Sequence, residues 1–342
     1  MTLNHLFKFS TLVPQEKTIA GTRKRASKEN FPALVGMSLY KINLNKAGVR
    51  EPHWHANADE LGYCLTGEAI ISLYDTNDTK ATFLIEAGDA YFIPSGALHD
   101  IENVGAGNLE ILACFNSDHV EDFGLVGTLG AFSNAVLGNT WNVKGTVFED
   151  YKRDTTNVFA RTRKGPITIP NDTRYATPYS FKLGKSAPLI TNDGGSARMA
   201  RKNVWPIVKD LSLYSLILTG SGMREPHWHP ETAELGFIKS GQGRMSILNP
   251  AGFVDTYIME EGDIYFIPKA YPHHIENLKL QEDLSIMIFF DQDMPKDVGL
   301  TASLRSYSDE VLTTITEQSP FLFEQLKKYY RDAFIVNKIN PS

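Results

Sequence analysis

Arg50-Glu51-Pro52-His53-Trp54-His55 is read twice in this chain, the second time as Arg224-Glu225-Pro226-His227-Trp228-His229. Each His-x-His is followed five residues on by a glutamate, Glu60 and Glu234. Each half then carries Tyr-Phe-Ile-Pro and a further histidine, His99 and His273. The offset is 174 residues every time: 53 to 227, 60 to 234 and 99 to 273. Three histidines and one glutamate repeated in register define two candidate metal sites. One is His53, His55, Glu60 and His99; the other is His227, His229, Glu234 and His273.

The repeat extends outward from these sites. Phe7-Lys8 aligns with Phe181-Lys182, Gly21 with Gly195, and Ser38-Leu39-Tyr40 with Ser212-Leu213-Tyr214. Past His99 the register slips by one, so Asp122-Phe123-Gly124-Leu125 matches Asp297-Val298-Gly299-Leu300. The chain therefore reads as a tandem duplication, and its 342 residues allow two domains. The polar stretch Pro166 to Pro178 places the boundary near Arg174, giving halves 1–174 and 175–342.

Composition bounds the class. Apolar residues make up 42% and charged residues 22%, with a net charge of −6. No long like-charged block points to nucleic acid or an anionic membrane. Cys64 and Cys114 have Ile238 and Ile288 at the sister positions, which predicts buried free thiols and not a disulfide framework. No apolar run approaches the ~20 residues of a membrane span. Met1 to Pro14 lacks the pattern of a secretory leader, so a cytoplasmic protein is expected.

Short strands dominate each half. Ser38 to Leu44 alternates, with Tyr40, Ile42 and Leu44 on one face and Leu39, Lys41 and Asn43 on the other. Tyr63 to Tyr74, Ala81 to Ile85, Ala90 to Ile93 and Leu109 to Phe115 follow at short spacing. Such punctuation predicts an all-β sandwich or barrel. Helices are expected only at the end of each half. Ser308 caps one, and Ser319-Pro320 opens another with Leu322, Leu326, Tyr329, Tyr330, Ala333 and Phe334 on one face.

Residues two apart on a strand point the same way. His53 and His55 thus present two imidazoles to one side, and Trp54 points to the other. Glu60 adds a carboxylate after a turn, and His99 arrives from a distant strand. Three nitrogens and one anionic oxygen suit a divalent first-row metal, and Mn²⁺, Fe²⁺, Ni²⁺, Cu²⁺ and Zn²⁺ all accept such donors. An octahedral ion would keep open positions, the mark of a catalytic site. His273 and His274 are adjacent; the spacing to Asn277 selects His273 as the ligand.

These motifs resemble the cupin superfamily. His53, His55, Glu60 and Gly67 match its first motif; Gly88, Pro94, Gly96, His99 and Asn103 match its second. The later half repeats both, with Gly241, Gly262, Pro268, His273 and Asn277. The duplicated form is similar to the bicupin oxalate decarboxylases. The resemblance implies two tandem cupin barrels of the double-stranded β-helix or jelly-roll type, with short C-terminal helices in each half. It further implies Mn²⁺ at both sites, O₂ as co-catalyst, and a homo-oligomer, a trimer or hexamer. There are departures. Family glycines are Ala47 and Ser221 before the first ligands, and Ala270 in the second motif of the later half. The family's Ser-Glu-Asn-Ser lid is replaced by Asn116 to Phe123, where Glu121 or Asp122 is the candidate proton donor, against ordinary solvated loop acids.

Arg50 and Arg224 lie three residues before the first ligand. Strict alternation would turn them away from it, but Pro52 and Pro226 disturb the strand. The resemblance implies that they hold the substrate carboxylate. The expected activity is a manganese-dependent carboxy-lyase converting oxalate, or a close small carboxylate, to formate and CO₂. The alternatives are an oxalate oxidase yielding H₂O₂ and CO₂, a non-catalytic metal-binding or storage bicupin, and a cupin dioxygenase or isomerase.

Overall fold

Alternating apolar residues and frequent Gly, Asn and Asp turns give a chain that folds almost wholly as antiparallel strands. The structure, a computed structural model, describes residues 4–76, 78–174 and 176–340. The boundary foreseen at 174/175 falls against Tyr175, outside these residues. The chain forms two compact units: Val13–Lys185 with Trp205–Val208, and residues 4–12, Ser186–Val204 and 209–340.

In the N-terminal unit a seven-stranded sheet runs in the order Ser180–Phe181, Ala90–Ile93, Glu60–Thr66, Leu109–Phe115, Ser38–Leu44, Gly21–Ala26 and Glu16–Thr18. A second sheet runs Asp122–Gly124, Gly48–His55, Leu98–Asn103, Glu68–Tyr74 and Lys80–Glu86, with Ala160–Thr162 also paired to Gly48–His55. Consecutive strands pass repeatedly from one sheet to the other. The two sheets share one core. Tyr40, Ile42 and Leu44 of the first meet Ile71, Phe83 and Ile101 of the second, each large apolar side chain contributing about 1.5–3 kcal/mol. The alternation predicted for Ser38–Leu44 is observed from Tyr40 on, where Lys41 and Asn43 are only partly buried, while Leu39 is fully buried.

The C-terminal unit repeats this plan. One sheet runs Leu6–Phe7, Ile264–Ile267, Glu234–Ser240, Leu284–Phe290, Ser212–Leu218, Gly195–Ala200 and Ile190–Asn192. The other runs Val254–Glu260, Gln242–Leu248, His273–Asn277, Gly222–Trp228 and Val298–Gly299, with Ile335–Asn337 paired to Gly222–Trp228. Relative to halves 1–174 and 175–342, Leu6–Phe7 edges the sheet of the C-terminal unit and Ser180–Phe181 edges that of the N-terminal unit. Cys64 and Cys114 are buried thiols not joined in a disulfide, and burial, helped by the Asp89 and Glu86 charges, pushes the Cys64 thiol up to about 12.

Helices stand late in each repeat: Leu125–Ala131 and Asn134–Thr140, then Asp309–Thr316 and Pro320–Leu326. Ser308 and Ser319 accept from the backbone N–H of Val311 and Phe321, as cap residues do. The amphipathic run from Leu322 is not one long helix. It stops at Leu326, Leu322 is partly exposed, and Phe323 is the buried residue. Ile335–Asn337 instead extends against Gly222–Trp228, and that ladder overrides the helical pattern. No helix among the described residues is long and apolar enough to cross a membrane.

Candidate metal centres

The site begins with strand parity. On Gly48–His55, His53 and His55 are buried while Trp54 turns outward and stacks on Phe123 at 5.5 Å. His99 lies directly across the ladder from His53, their rings 4.2 Å apart. Glu60 starts a strand of the other sheet and reaches the same point. One ligand atom from each of His53, His55, Glu60 and His99 lies within 4.8 Å of all the others. His227, His229, Glu234 and His273 gather in the same way. All eight residues are buried.

Hydrogen bonds orient each imidazole. The Nδ1 atoms of His53 and His99 bond to the carbonyl oxygens of Glu51 and Ala97 at 2.8 and 2.9 Å. His55 Nδ1 bonds to Asp122 Oδ1 at 2.7 Å. In the second unit His227 and His273 bond to the carbonyls of Glu225 and Tyr271, and His229 Nδ1 lies 2.7 Å from Asp297 Oδ1. Fixing Nδ1 as the donor leaves Nε2 as a lone pair aimed inward. The Nε2 atoms of His99, His227 and His273 are buried with no hydrogen-bond partner. Buried polar atoms without partners are costly, and a divalent cation satisfies them together with the carboxylate. The residues present fit a metal ion.

The glutamates are equally constrained. Tyr91 Oη donates to Glu60 Oε1 at 2.5 Å and Tyr265 Oη to Glu234 Oε1 at 2.6 Å, leaving Oε2 toward the histidines. Each tyrosine ring occupies the space a side chain would need at Gly62 or Gly236, where an added Cβ would come within about 2 Å of it. Burial raises the Glu60 carboxyl, but the His55 hydrogen bond and the nearby imidazoles of His55 and His99 outweigh it and hold it well below the usual range. Burial likewise opposes, and the His55 hydrogen bond with the charges of Arg23 and Arg50 overcomes, so that Asp122 is also held well below.

A bulge explains the arginines. The ladder registers His99 with His53 but Ile101 with Arg50, so Glu51 and Pro52 together face a single residue. The extra residue resets the alternation and returns Arg50 to the buried face. Arg224 arrives by the same slip between Arg224 and His227. Arg50 Nη2 lies 3.4 Å from Asp122 Oδ2, and Arg224 Nη2 lies 2.7 Å from Asp297 Oδ2. Arg224, His229, Glu234, Asp297 and Phe334 are among the residues lining a cavity of about 10 Å³.

The two lid acids part company. Asp122 pairs in the ladder with His55 and accepts from His55, Arg23 and Arg50. In this arrangement the Asp122 carboxylate serves as an acceptor for three donors. Glu121, the residue before the Asp122–Gly124 strand, is exposed. His274 lies outside the cluster, 3.6 Å from Glu276, as its spacing implied. Sequence reading assigned no role to Tyr91, Tyr265, Gly62, Gly236 or Asp297. Their identity at matched positions of the two halves was the available signal.

Two antiparallel sheets around a buried His₃Glu cluster, present twice, define a duplicated metal-binding β-protein. The chain belongs to the cupin family, whose sequence profile matches residues 10–148 and 181–319; the double match makes it a bicupin. Among its relatives is the oxalate decarboxylase of Arthroderma benhamiae, 24% identical over 329 residues, spanning 87% of this chain and 77% of that one. Oxalate decarboxylase OxdC of Bacillus subtilis is 25% identical over 288 residues, spanning 82% and 74%. A solved structure of the Bacillus subtilis enzyme, from work on its Mn(II) centres, superposes with a TM-score of 0.87 at 22% identity, covering 99% of this chain and 90% of that one. At that identity the superposition speaks for the fold.

Proposed function

We propose that this bicupin is a metal-dependent carboxy-lyase that converts oxalate, or a close small carboxylate, to formate and CO₂. The observation that carries the reading is a buried guanidinium beside each His₃Glu cluster, within reach of the aspartate that holds a ligand histidine. The named relatives support the substrate. We read each unit as a closed cupin barrel.

The reaction breaks the carbon–carbon bond of oxalate, releases CO₂, and puts one proton on the carbon that leaves as formate. His53, His55, Glu60 and His99 would hold a divalent ion in one unit, and His227, His229, Glu234 and His273 in the other. The bound ion, manganese by analogy with the Bacillus subtilis enzyme, supplies a Lewis-acid anchor for a carboxylate and redox exchange with O₂. Arg50 or Arg224 orients the remote carboxylate by charge-assisted hydrogen bonds. Asp122 and Asp297 keep His55 and His229 turned toward the ion. Glu121 is assigned proton delivery, because Asp122 is committed as an acceptor. That commitment also favours a second reading, oxidation of oxalate to CO₂ and H₂O₂, which needs no proton donor at carbon.

One assay separates these. Manganese-loaded protein is given oxalate under air, and formate and peroxide are measured together. Formate matching the oxalate consumed, without peroxide, supports decarboxylation. Peroxide without formate supports oxidation, and unchanged oxalate contradicts both. Glu121→Gln is expected to lower formate kcat at least ~10-fold with KM little changed; an unaltered kcat removes the assignment. We further propose a cytoplasmic homo-oligomer of three or six copies. Support comes from Ile315, Phe321 and Tyr330, exposed on and after the late helices. Light scattering tests the state.

A further inference from the structure

The two centres are copies of one another, so a difference between them bears on what each does. In the N-terminal unit the cross-strand pair Glu16 and Arg23 occupies positions that are Ile190 and Ala197 in the C-terminal unit. Arg23 is 7% exposed. Its Nε and Nη2 bond to the two oxygens of Glu16 at 3.2 and 2.8 Å, and its Nη1 bonds to Asp122 Oδ2 at 2.8 Å. It lies 5.2 Å over the ring of Tyr40 and 5.5 Å over that of Phe159. Each nitrogen of this guanidinium donates a bond and its central carbon lies near two aromatic rings, so it is a fixed cation.

The consequence falls on Arg50. Arg23 takes the short bond to Asp122 Oδ2, and Arg50 is left at 3.4 Å from the same oxygen. Charge-assisted bonds of full strength lie near 2.7–2.9 Å. Arg50 keeps one other bond, from Nη1 to the Phe159 carbonyl at 3.2 Å, and its Nε is buried without a partner. With no counterpart of Arg23, Arg224 closes to 2.7 Å on Asp297 and sits 3.7 Å over the ring of Phe334. Formal charge does not distinguish the centres, because Arg23 brings Glu16 with it. Both arginines give Nη1 to a carbonyl, of Phe159 at 3.2 Å and of Phe334 at 3.1 Å, so what differs is how tightly the aspartate holds Nη2 of the anchoring arginine.

We propose that Arg23 is a positioning residue that occupies Asp122 so that Arg50 keeps guanidinium N–H groups for a substrate carboxylate. The proposal rests on the carboxylate chemistry put forward above, and it makes the N-terminal centre the tighter oxalate site. Arg23 itself touches neither the ligand cluster nor the substrate. Arg50 is the hydrogen-bonding group, and Arg23 acts through Asp122.

The test imports the pair already used by the other unit, Glu16→Ile with Arg23→Ala. The measurements are metal content, oxalate affinity of the manganese-loaded protein by calorimetry, the steady-state kcat and KM, and the Arg50–Asp122 distance in a crystal structure. With Arg23 gone, Asp122 is expected to close on Arg50 as Asp297 does on Arg224. Metal content should be unchanged, oxalate affinity should fall about tenfold, and KM should rise by more than kcat falls. Arg23→Lys keeps a cation beside Asp122 and should recover most of the affinity. Arg23→Met, similar in length, replaces the double variant if that does not fold. An Arg50–Asp122 distance that stays as in the parent overturns the proposal. So does a closed distance with unchanged affinity. If the parent protein binds no oxalate, the functional reading fails, and the distance alone decides the positioning role.

Discussion

At the scale of single residues, each centre depends on partners that never touch the ion. Asp122 and Tyr91 fix His55 and Glu60, and such outer partners typically carry 10–100-fold in metal affinity. Tyr91→Phe is therefore expected to weaken manganese binding about tenfold at the N-terminal centre only, measured by competition with a chelator. Equal affinity at both centres would refute the role given to the tyrosine. Protonation gives a second prediction. Burial lowers the His229 pKa, but hydrogen bonds and charge from Asp297 and Glu234 outweigh it and raise it to about 9. A raised folded pKa adds stability below the ordinary value near 6.5, and that stability is lost as pH climbs through about 9. Chelator-treated protein should lose melting temperature between pH 6.5 and 9, while manganese affinity gains over the same window because binding must displace that proton. A metal-free melting temperature that rises over this range would refute the assignment.

Elements show which parts of the sequence could be read and why. The four ligands per half were legible because side-chain type and spacing are local properties. Arg50 was legible only through the family resemblance, with Pro52 marking where the strand is disturbed, since a bulge reverses the parity that plain alternation predicts. Glu60 and Tyr91 meet across neighbouring strands. That meeting depends on register, which spacing alone does not supply. Asp122 was recognised as an acid, but its part as an acceptor was not legible, because its three donors sit on two other strands, Arg23 on one and Arg50 with His55 on the second. Edge strands of two residues, such as Leu6–Phe7, carry no pattern that names their partner. Turn positions follow another rule. Ala270 holds φ 63° and Ala47 φ 58°, where Gly96 in the sister motif holds 78°. A Cβ in this region costs roughly 1–2 kcal/mol, partly offset by the entropy a glycine loses. Ala270→Gly should stabilise the protein by about 0.5–1 kcal/mol in urea denaturation; a loss of stability would show that the turn needs its methyl group.

For the molecule as a whole, the account rests on a duplicated scaffold holding two cations in equivalent cages. Composition, repeat and motif reached that far without coordinates. The exchange of edge strands, and the inequality of Arg50 and Arg224, needed them. The most direct measurement is metal content per chain, in the parent protein and in His99→Ala and His273→Ala, by elemental analysis after exhaustive dialysis with manganese. The account predicts close to two ions in the parent and close to one in each variant. A parent that retains no metal, or variants that retain as much as the parent, would contradict it.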